Sequence, residues 1–375
     1  MENNAPYIYL AGPWGPKGGG MFKVSDYLIQ NQASPPPGHA ELRHLDTRGN
    51  GNALFSMGML TLALAKITVG RLRGQLIGVH VNLAERLSVV RKGVLIGWAR
   101  MLGLPVVLHL HAAQLHHFYR SLPGPLQAMT RRVFGMASHC LVLGNTSRDF
   151  VVHELKVPAD KVEIVINGVP PPTLPRRIRH REDPKRILFL GNLTERKGVS
   201  DLLRALATPG LDYNLAVSIA GGGDVAGYTE MAEALGITHF VRFEGWVGQD
   251  KAAELISAAD VLILPSYDEG LPLVILEALA NSVAVVCTPV GEIETVLTDG
   301  VNAHFVVPGD IDSIASALHR TLSDDGFRHR LEANGHAIYE AQFSISRFFD
   351  TIAGVHKSVF GMAASARRSG PALPV

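Results

Sequence analysis

Cysteine is nearly absent: the 375 residues include two, Cys140 and Cys287. They sit in separate apolar runs, SHCLVLG and VAVVCTP. Two lone thiols make neither a disulfide framework nor a zinc site, which fits a reducing cytoplasm. Charge is also sparse, at 18% of residues against 47% hydrophobic, so the chain reads as globular and somewhat apolar. No stretch makes a good membrane span, because MGMLTLALAKITVG and VLIGWARMLGLPVVLHL are short or broken by Lys66, Arg100 and Pro105. The opening MENNAPYIYLAG lacks the basic start and apolar run of a signal peptide. A metal site is not expected either. The D-x-D of Asp310 and Asp312, in VVPGDIDSIASAL, follows a strand and opens a helix, where Asp310 reads as an N-cap.

What is present is an asymmetry laid over an alternation. Residues 1–170 hold 17 Lys+Arg against 9 Asp+Glu, net +8, while residues 171–375 are net −7. A basic front half suggests an anionic partner, such as a lipid surface or a diphosphate. Short β-rich runs alternate with helix-length amphipathic segments, the pattern of α/β layering with parallel strands. In the front half the strands are predicted at 7–12, 75–81, 105–111, 139–144 and 162–168. GVPPPTLPRRIRHREDPK then breaks the pattern as a linker rich in proline and arginine. Behind it the alternation restarts, with strands at 186–192, 215–223, 239–245, 261–266, 283–289 and 302–308. Two doubly wound domains are therefore expected: 1–168 and 186–345, joined by linker 169–185, with a C-terminal helix at 346–360 that crosses back and a disordered tail at 361–375. Ligands of such sheets bind at the carboxyl ends of the strands, so the expected site is the cleft between the domains.

Three stretches carry candidate chemistry. In FLGNLTERKGVSDLLRAL a strand ends, a loop presents Arg196 and Lys197, and a helix begins near Val199. Helix-start amides with two cations suit a diphosphate, although a solvated loop carries the same residues. SIAGGGDVAGY places three glycines directly after a strand, allowing close backbone approach to a ligand, without being G-x-G-x-x-G or a P-loop. SYDEGLPLVILEALA sets Glu269 before a helix and Glu277 inside it, on the face shared with Leu273. The two carboxylates stand roughly 10 Å apart along the axis, about the reach from a sugar to a ribose across a diphosphate. A buried carboxylate costs several kcal/mol unless it is paired. A vicinal diol would satisfy Glu277; so would a structural salt bridge.

Taken in order, these segments resemble the retaining family 4 type of GT-B glycosyltransferases. DEGLPLVILEAL is similar to that family's E-x7-E motif, and GNLTERKG to its G-R-L-x-x-x-K-G loop. IAGGGD, VRFEGWV and VINGVP resemble three further family segments. GPKGGGMFKVSDYLI matches its N-terminal glycine loop, and PVVLHLHA its strand ending in a histidine. The resemblance implies an α/β GT-B fold, with two doubly wound Rossmann-like domains facing each other across a cleft: 1–168 for the acceptor and 186–345 for the nucleotide sugar.

It also implies roles. Glu277 would bind the nucleotide ribose, and Glu269 the donor sugar together with the backbone of Gly270, Leu271 and Pro272. Lys197 would bind the diphosphate, and Gly19 and Gly20 would close over the donor phosphate. His111 would contact the sugar near the reacting carbon, with His109 sharing its strand face. One position departs from the pattern: the family's arginine is Asn192 here, and Arg196 is the candidate replacement. Trp246 and Arg242 fall near the expected base site. No cofactor is expected beyond the nucleoside-diphosphate sugar as donor substrate.

The basic helix in HVNLAERLSVVRKG, with Arg86, Arg91 and Lys92, is expected to meet anionic lipid. HLDTRGNG and NLAERLSVVRKG are similar to segments of bacterial exopolysaccharide transferases. The expected protein is thus a cytoplasmic hexosyltransferase, peripheral on the inner face of the cell membrane, with no nucleic-acid partner. Mannose from GDP-mannose is the leading donor, with a UDP-hexose next, and a polyprenyl-diphosphate-linked saccharide is the acceptor. The alternatives are a soluble acceptor, a sugar-nucleotide epimerase, and a catalytically silent binding subunit.

Overall fold

Runs of Val, Ile and Leu without polar alternation are what a parallel strand buried on both faces requires, and such runs form most of the two sheets. The computed structural model describes residues 5–15, 19–112, 114–180, 182–210 and 214–367. It divides into one unit of Met1–Gly168 with Ile345–Val375, and a second of Val169–Ser344. In the first, β1 (Tyr7–Gly12), β2 (Glu41–Asp46), β3 (Leu76–Leu83), β4 (Val106–Leu110), β5 (His139–Val142) and β6 (Val162–Ile164) lie parallel in the order β2-β1-β3-β4-β5-β6. In the second, β7 (Lys185–Leu190), β8 (Leu215–Ala220), β9 (Val241–Gly245), β10 (Val261–Leu264), β11 (Ala284–Cys287) and β12 (His304–Phe305) take the order β12-β11-β10-β7-β8-β9.

Each order reverses once, between β1 and β3 and between β7 and β10. At such a reversal the connecting loops leave in opposite directions, and the gap at the strand carboxyl ends is open to a ligand. Both cysteines lie in strands, in β5 and β11, and both are buried. The sequence pattern misses β2. In ELRHLD the polar residues outnumber Leu42 and Leu45, the two that are buried, as an edge strand with one wetted face permits.

Three expectations need correcting. The segment read as a linker is docked on the second unit. There Arg179 pairs with Asp260 and Glu332 (2.5 Å each), and Arg176 donates to the Ala259 carbonyl (2.7 Å). The tail is not free from residue 361. Instead Ala363 and Ser365 accept the N–H groups of Ala40 (2.9 Å) and Ala33 (2.8 Å), and only residues 368–375 lie outside the described part. Nor is the basic helix Leu87–Met101 a row of surface cations. Lys92 is 1% exposed, and its ammonium donates to the Ala11 carbonyl (2.8 Å) and Thr47 Oγ1 (2.7 Å), while Arg91 is half-buried. Burial holds the Lys92 pKa well below the usual lysine range.

The helix Ala53–Leu72 exceeds the sequence reading. By length and composition it is apt to cross a membrane, yet Ala63, Ile67 and Gly70 are its buried positions. Asp310 caps the helix Ile311–Ser323, its carboxylate accepting the Ser313 N–H (2.9 Å).

Candidate functional site

In the second unit the reversal between β7 and β10 brings two loops together. The loop after β7 carries a single 3-10 turn, Glu195–Lys197, ending at Gly198 and leading into the helix Val199–Leu206. The loop after β10 carries Ser266–Pro272 and leads into the helix Leu273–Ala280. Lys197 Nζ donates to Glu269 Oε1, which also accepts from Ser266 Oγ (2.8 Å). Glu269 is 7% exposed, so its charge is neutralised by this contact and not by water. Arg196 turns toward the same loop: its Nη1 donates to the Asp268 carbonyl (2.5 Å) and lies 3.9 Å from Glu269 Oε2. Asn192, in the position of the family arginine, is exposed. Arg196 and Lys197 are thus the two cations at the open end of the sheet, in loops that also carry Glu195, Asp268 and Glu269.

Backbone packing fixes the two loops. Gly198 has φ +69°, and a Cβ there would stand 2.1 Å from the Pro265 carbonyl oxygen. Gly291, φ +64°, passes as closely beneath the Glu269 carbonyl, where a Cβ would lie at 1.8 Å. Tyr267 adds a hydrogen bond from its N–H to the Arg196 carbonyl (2.8 Å) and another from its hydroxyl to Asp201 (2.7 Å). Pro272 occupies the residue just before the helix Leu273–Ala280. In the first turn the Ile275 N–H donates to the Pro272 carbonyl (3.1 Å), while the amides of Leu273 and Val274 lie at the Glu269 end. Glu277 is half-buried one turn along, beyond buried Leu273 and Leu276. Trp246, half-exposed, stands beside the glycine loop, with its ring 3.9 Å from where a Cβ on Gly222 would be, which favours an open surface over core packing.

The first unit has its own cluster at the reversal between β1 and β3. Of the two histidines, His109 in β4 is fully buried, and His111, just past the strand, is half-buried. Asn82 at the end of β3 settles the His111 tautomer. Its Oδ1 takes the His111 Nε2 hydrogen (2.9 Å) and its Nδ2 donates to Ser25 Oγ (2.8 Å), leaving His111 Nδ1 as the lone-pair atom. Burial lowers the His111 pKa to about 3, so the ring is neutral at physiological pH. Ser25 lies on the helix Gly19–Asn31, whose first two residues, Gly19 and Gly20, are exposed; Gly18 lies outside the described residues.

Behind His111 runs a buried row of imidazoles. His109 stacks on it with ring centres 4.0 Å apart and meets His80 (3.3 Å), which meets His356 of the helix Ile345–Phe360 (2.8 Å). Sequence reading misses Asn82, Ser25 and Ser266. For Asn82 and Ser266 a signal existed, a polar residue closing an apolar strand. Among the described residues, no three of His, Cys, Asp or Glu converge to hold a metal ion.

Two parallel six-stranded sheets with ligand-ready reversals define a class, and solved structures share it. Sucrose-phosphate synthase from Thermosynechococcus elongatus matches with a TM-score of 0.74 at 17% identity, covering 95% of this chain and 99% of its own. Anabaena HepE, solved in complex with UDP, matches at 0.71 and 17% identity, covering 94% and 100%. The fold is that of the GT-B glycosyltransferases. The family model for glycosyl transferases group 1 matches residues 172–337. An uncharacterized glycosyltransferase of Methanocaldococcus jannaschii is 30% identical over 275 residues, which span 69% of this chain and 70% of that protein. The chain belongs to the glycosyl transferases group 1 family, and it is a glycosyltransferase.

Proposed function

We propose that the protein is a retaining hexosyltransferase of the family 4 type, moving a hexose from a nucleoside-diphosphate sugar to a lipid-diphosphate-linked saccharide at the inner face of a cell membrane. One observation carries the donor half of this reading. Lys197 is held by buried Glu269, with Arg196 alongside, where the β7–β10 reversal and the start of the helix Leu273–Ala280 meet. That arrangement offers fixed positive charge and helix-start amides to a leaving diphosphate, whose charge grows in the transition state. Glu277 takes the ribose diol and Glu269 holds Lys197 in place. In a front-face reaction the leaving phosphate oxygen accepts the proton of the acceptor hydroxyl. The neutral His111 receives a sugar hydroxyl at Nδ1.

The base of the donor is the open choice between GDP-mannose and a UDP-hexose; HepE, of the same fold, was solved with UDP. A thermal-shift screen against UDP, GDP and ADP sugars selects it. Calorimetry on Glu277→Ala should then show roughly 1.5–3 kcal/mol less affinity for the selected donor, and an unchanged affinity would remove the ribose assignment. Transfer is expected to persist in excess EDTA, since Asp310 is engaged as a helix cap. Donor hydrolysis by purified protein separates this reading from a silent binding subunit.

A further inference from the structure

The first unit carries three helices that pack side by side and share one unusual surface: Ala53–Leu72, Leu87–Met101 and Gly124–Gly135. Trp98 Nε1 donates to Thr68 Oγ1 (3.0 Å) across the first pair, and Gly93 lies against Val133 across the second. The outward positions of these helices are apolar. Leu54, Met57, Leu62, Val69 and Leu72 follow one another on the first, Leu87, Val90, Val94 and Met101 on the second, and Leu126 and Met129 on the third. Leu54 and Leu72 are 77% and 80% exposed. Twelve of the protein's nineteen exposed large hydrophobic residues, counted over the described part, lie on these helices. None of the three contains an aspartate or glutamate, whereas Lys66, Arg71, Arg86, Arg100 and Arg132 stand exposed on or at the ends of them.

This combination selects its occupant. A second copy of the chain would set this patch against itself in a two-fold dimer, cation facing cation with no carboxylate between. A water-facing surface would not gather leucines at the exposed positions of three neighbouring helices. Apolar side chains with a basic rim, and no acid within the three helices, are what the headgroup region of an anionic bilayer accepts. Crossing is excluded for the longest helix, because Ala63, Ile67 and Gly70 hold it against its own unit. It must lie in the plane of the interface.

We infer that this three-helix face is the membrane-docking surface, seated on anionic phospholipid with the apolar rows in the acyl boundary and the cations at the headgroups. The inference rests on the lipid-facing reading proposed above and relocates its contact. Lys92, buried under Ala11 and Thr47, takes no part, and the docking energy comes from the leucine rows as much as from charge.

The test is flotation of the full chain with vesicles of phosphatidylcholine, with and without phosphatidylglycerol. The parent should float with the anionic vesicles and detach in part at high salt. Leu54→Gln/Leu62→Gln/Leu72→Gln should weaken binding by more than about tenfold. Lys66→Gln/Arg71→Gln should weaken it about tenfold on anionic vesicles and leave any neutral binding unchanged. These sites are exposed, and an unchanged melting curve confirms each fold. If the parent floats and the leucine variant floats equally well, the face is not the docking surface, although the lipid reading stands. If the parent floats with neither vesicle, both fall, while donor binding and transfer to a soluble acceptor are untouched. A parent that elutes as a dimer, with a monomeric leucine variant, would assign the face to a second copy and overturn the inference.

Discussion

At the scale of single residues, the contact between Lys197 and Glu269 carries most of the chemistry. Both side chains are largely buried, so removing one leaves the other uncompensated, at a cost of about 3–5 kcal/mol. Lys197→Ala is therefore expected to lower stability as well as turnover. Lys197→Ala/Glu269→Gln should recover much of the stability without recovering turnover, because the cation facing the leaving diphosphate is still missing. Urea unfolding and single-turnover transfer on the two variants measure the two effects separately. Turnover within a few-fold of the parent in the double variant would pass the role to Arg196. Glu269 and Lys197 stand out in the sequence, but their pairing does not, since they lie on loops 72 residues apart in the chain. Lys92 shows the opposite failure. A lysine beside an arginine on an amphipathic helix reads as surface, and only the register of β1 and β2 reveals the carbonyl and hydroxyl that take it inside.

At the scale of elements, the site depends on how closely loops pass one another. Gly198 both ends the 3-10 turn of Lys197 and touches the Pro265 carbonyl, so a side chain there meets an unfavourable φ and a backbone oxygen that cannot retreat. Gly198→Ala should cost about 2–4 kcal/mol, visible as a lower urea midpoint with an unchanged slope, and should disturb donor affinity. A neutral result would mean that the loop after β10 yields easily. Most strands were legible, because Val- and Ile-rich runs buried on both faces have few other uses. β2 was not, as its edge position lets polar residues dominate. The Asn82–His111 contact was hidden for a different reason: it depends on the register that sets Asn82 opposite His109, which no local pattern encodes.

At the scale of the whole molecule, the buried imidazoles make stability depend on pH. His80, His109, His111 and His356 all have pKa values lowered by desolvation, to about 3 for His111 and His356. In the unfolded chain these groups return to about 6.5, so below that pH the unfolded state binds more protons than the folded one. The stabilisation is complete above about pH 6.5 and drains away as the pH falls toward 3, by up to about 1.4 kcal/mol per pH unit for each ring. Denaturation midpoints should be level near neutrality and fall steeply below about pH 6, more shallowly in His356→Asn. A midpoint that holds down to about pH 4 would show that these rings admit protons without unfolding. His356 sits on the helix Ile345–Phe360, which packs on the first unit although the whole second unit precedes it in the chain. On the ribosome this order has a consequence. The second unit, one uninterrupted stretch, is finished while β3 and β4 still wait for their cover. The newborn first unit is expected to stay open, with apolar surface exposed, until the helix Ile345–Phe360 emerges.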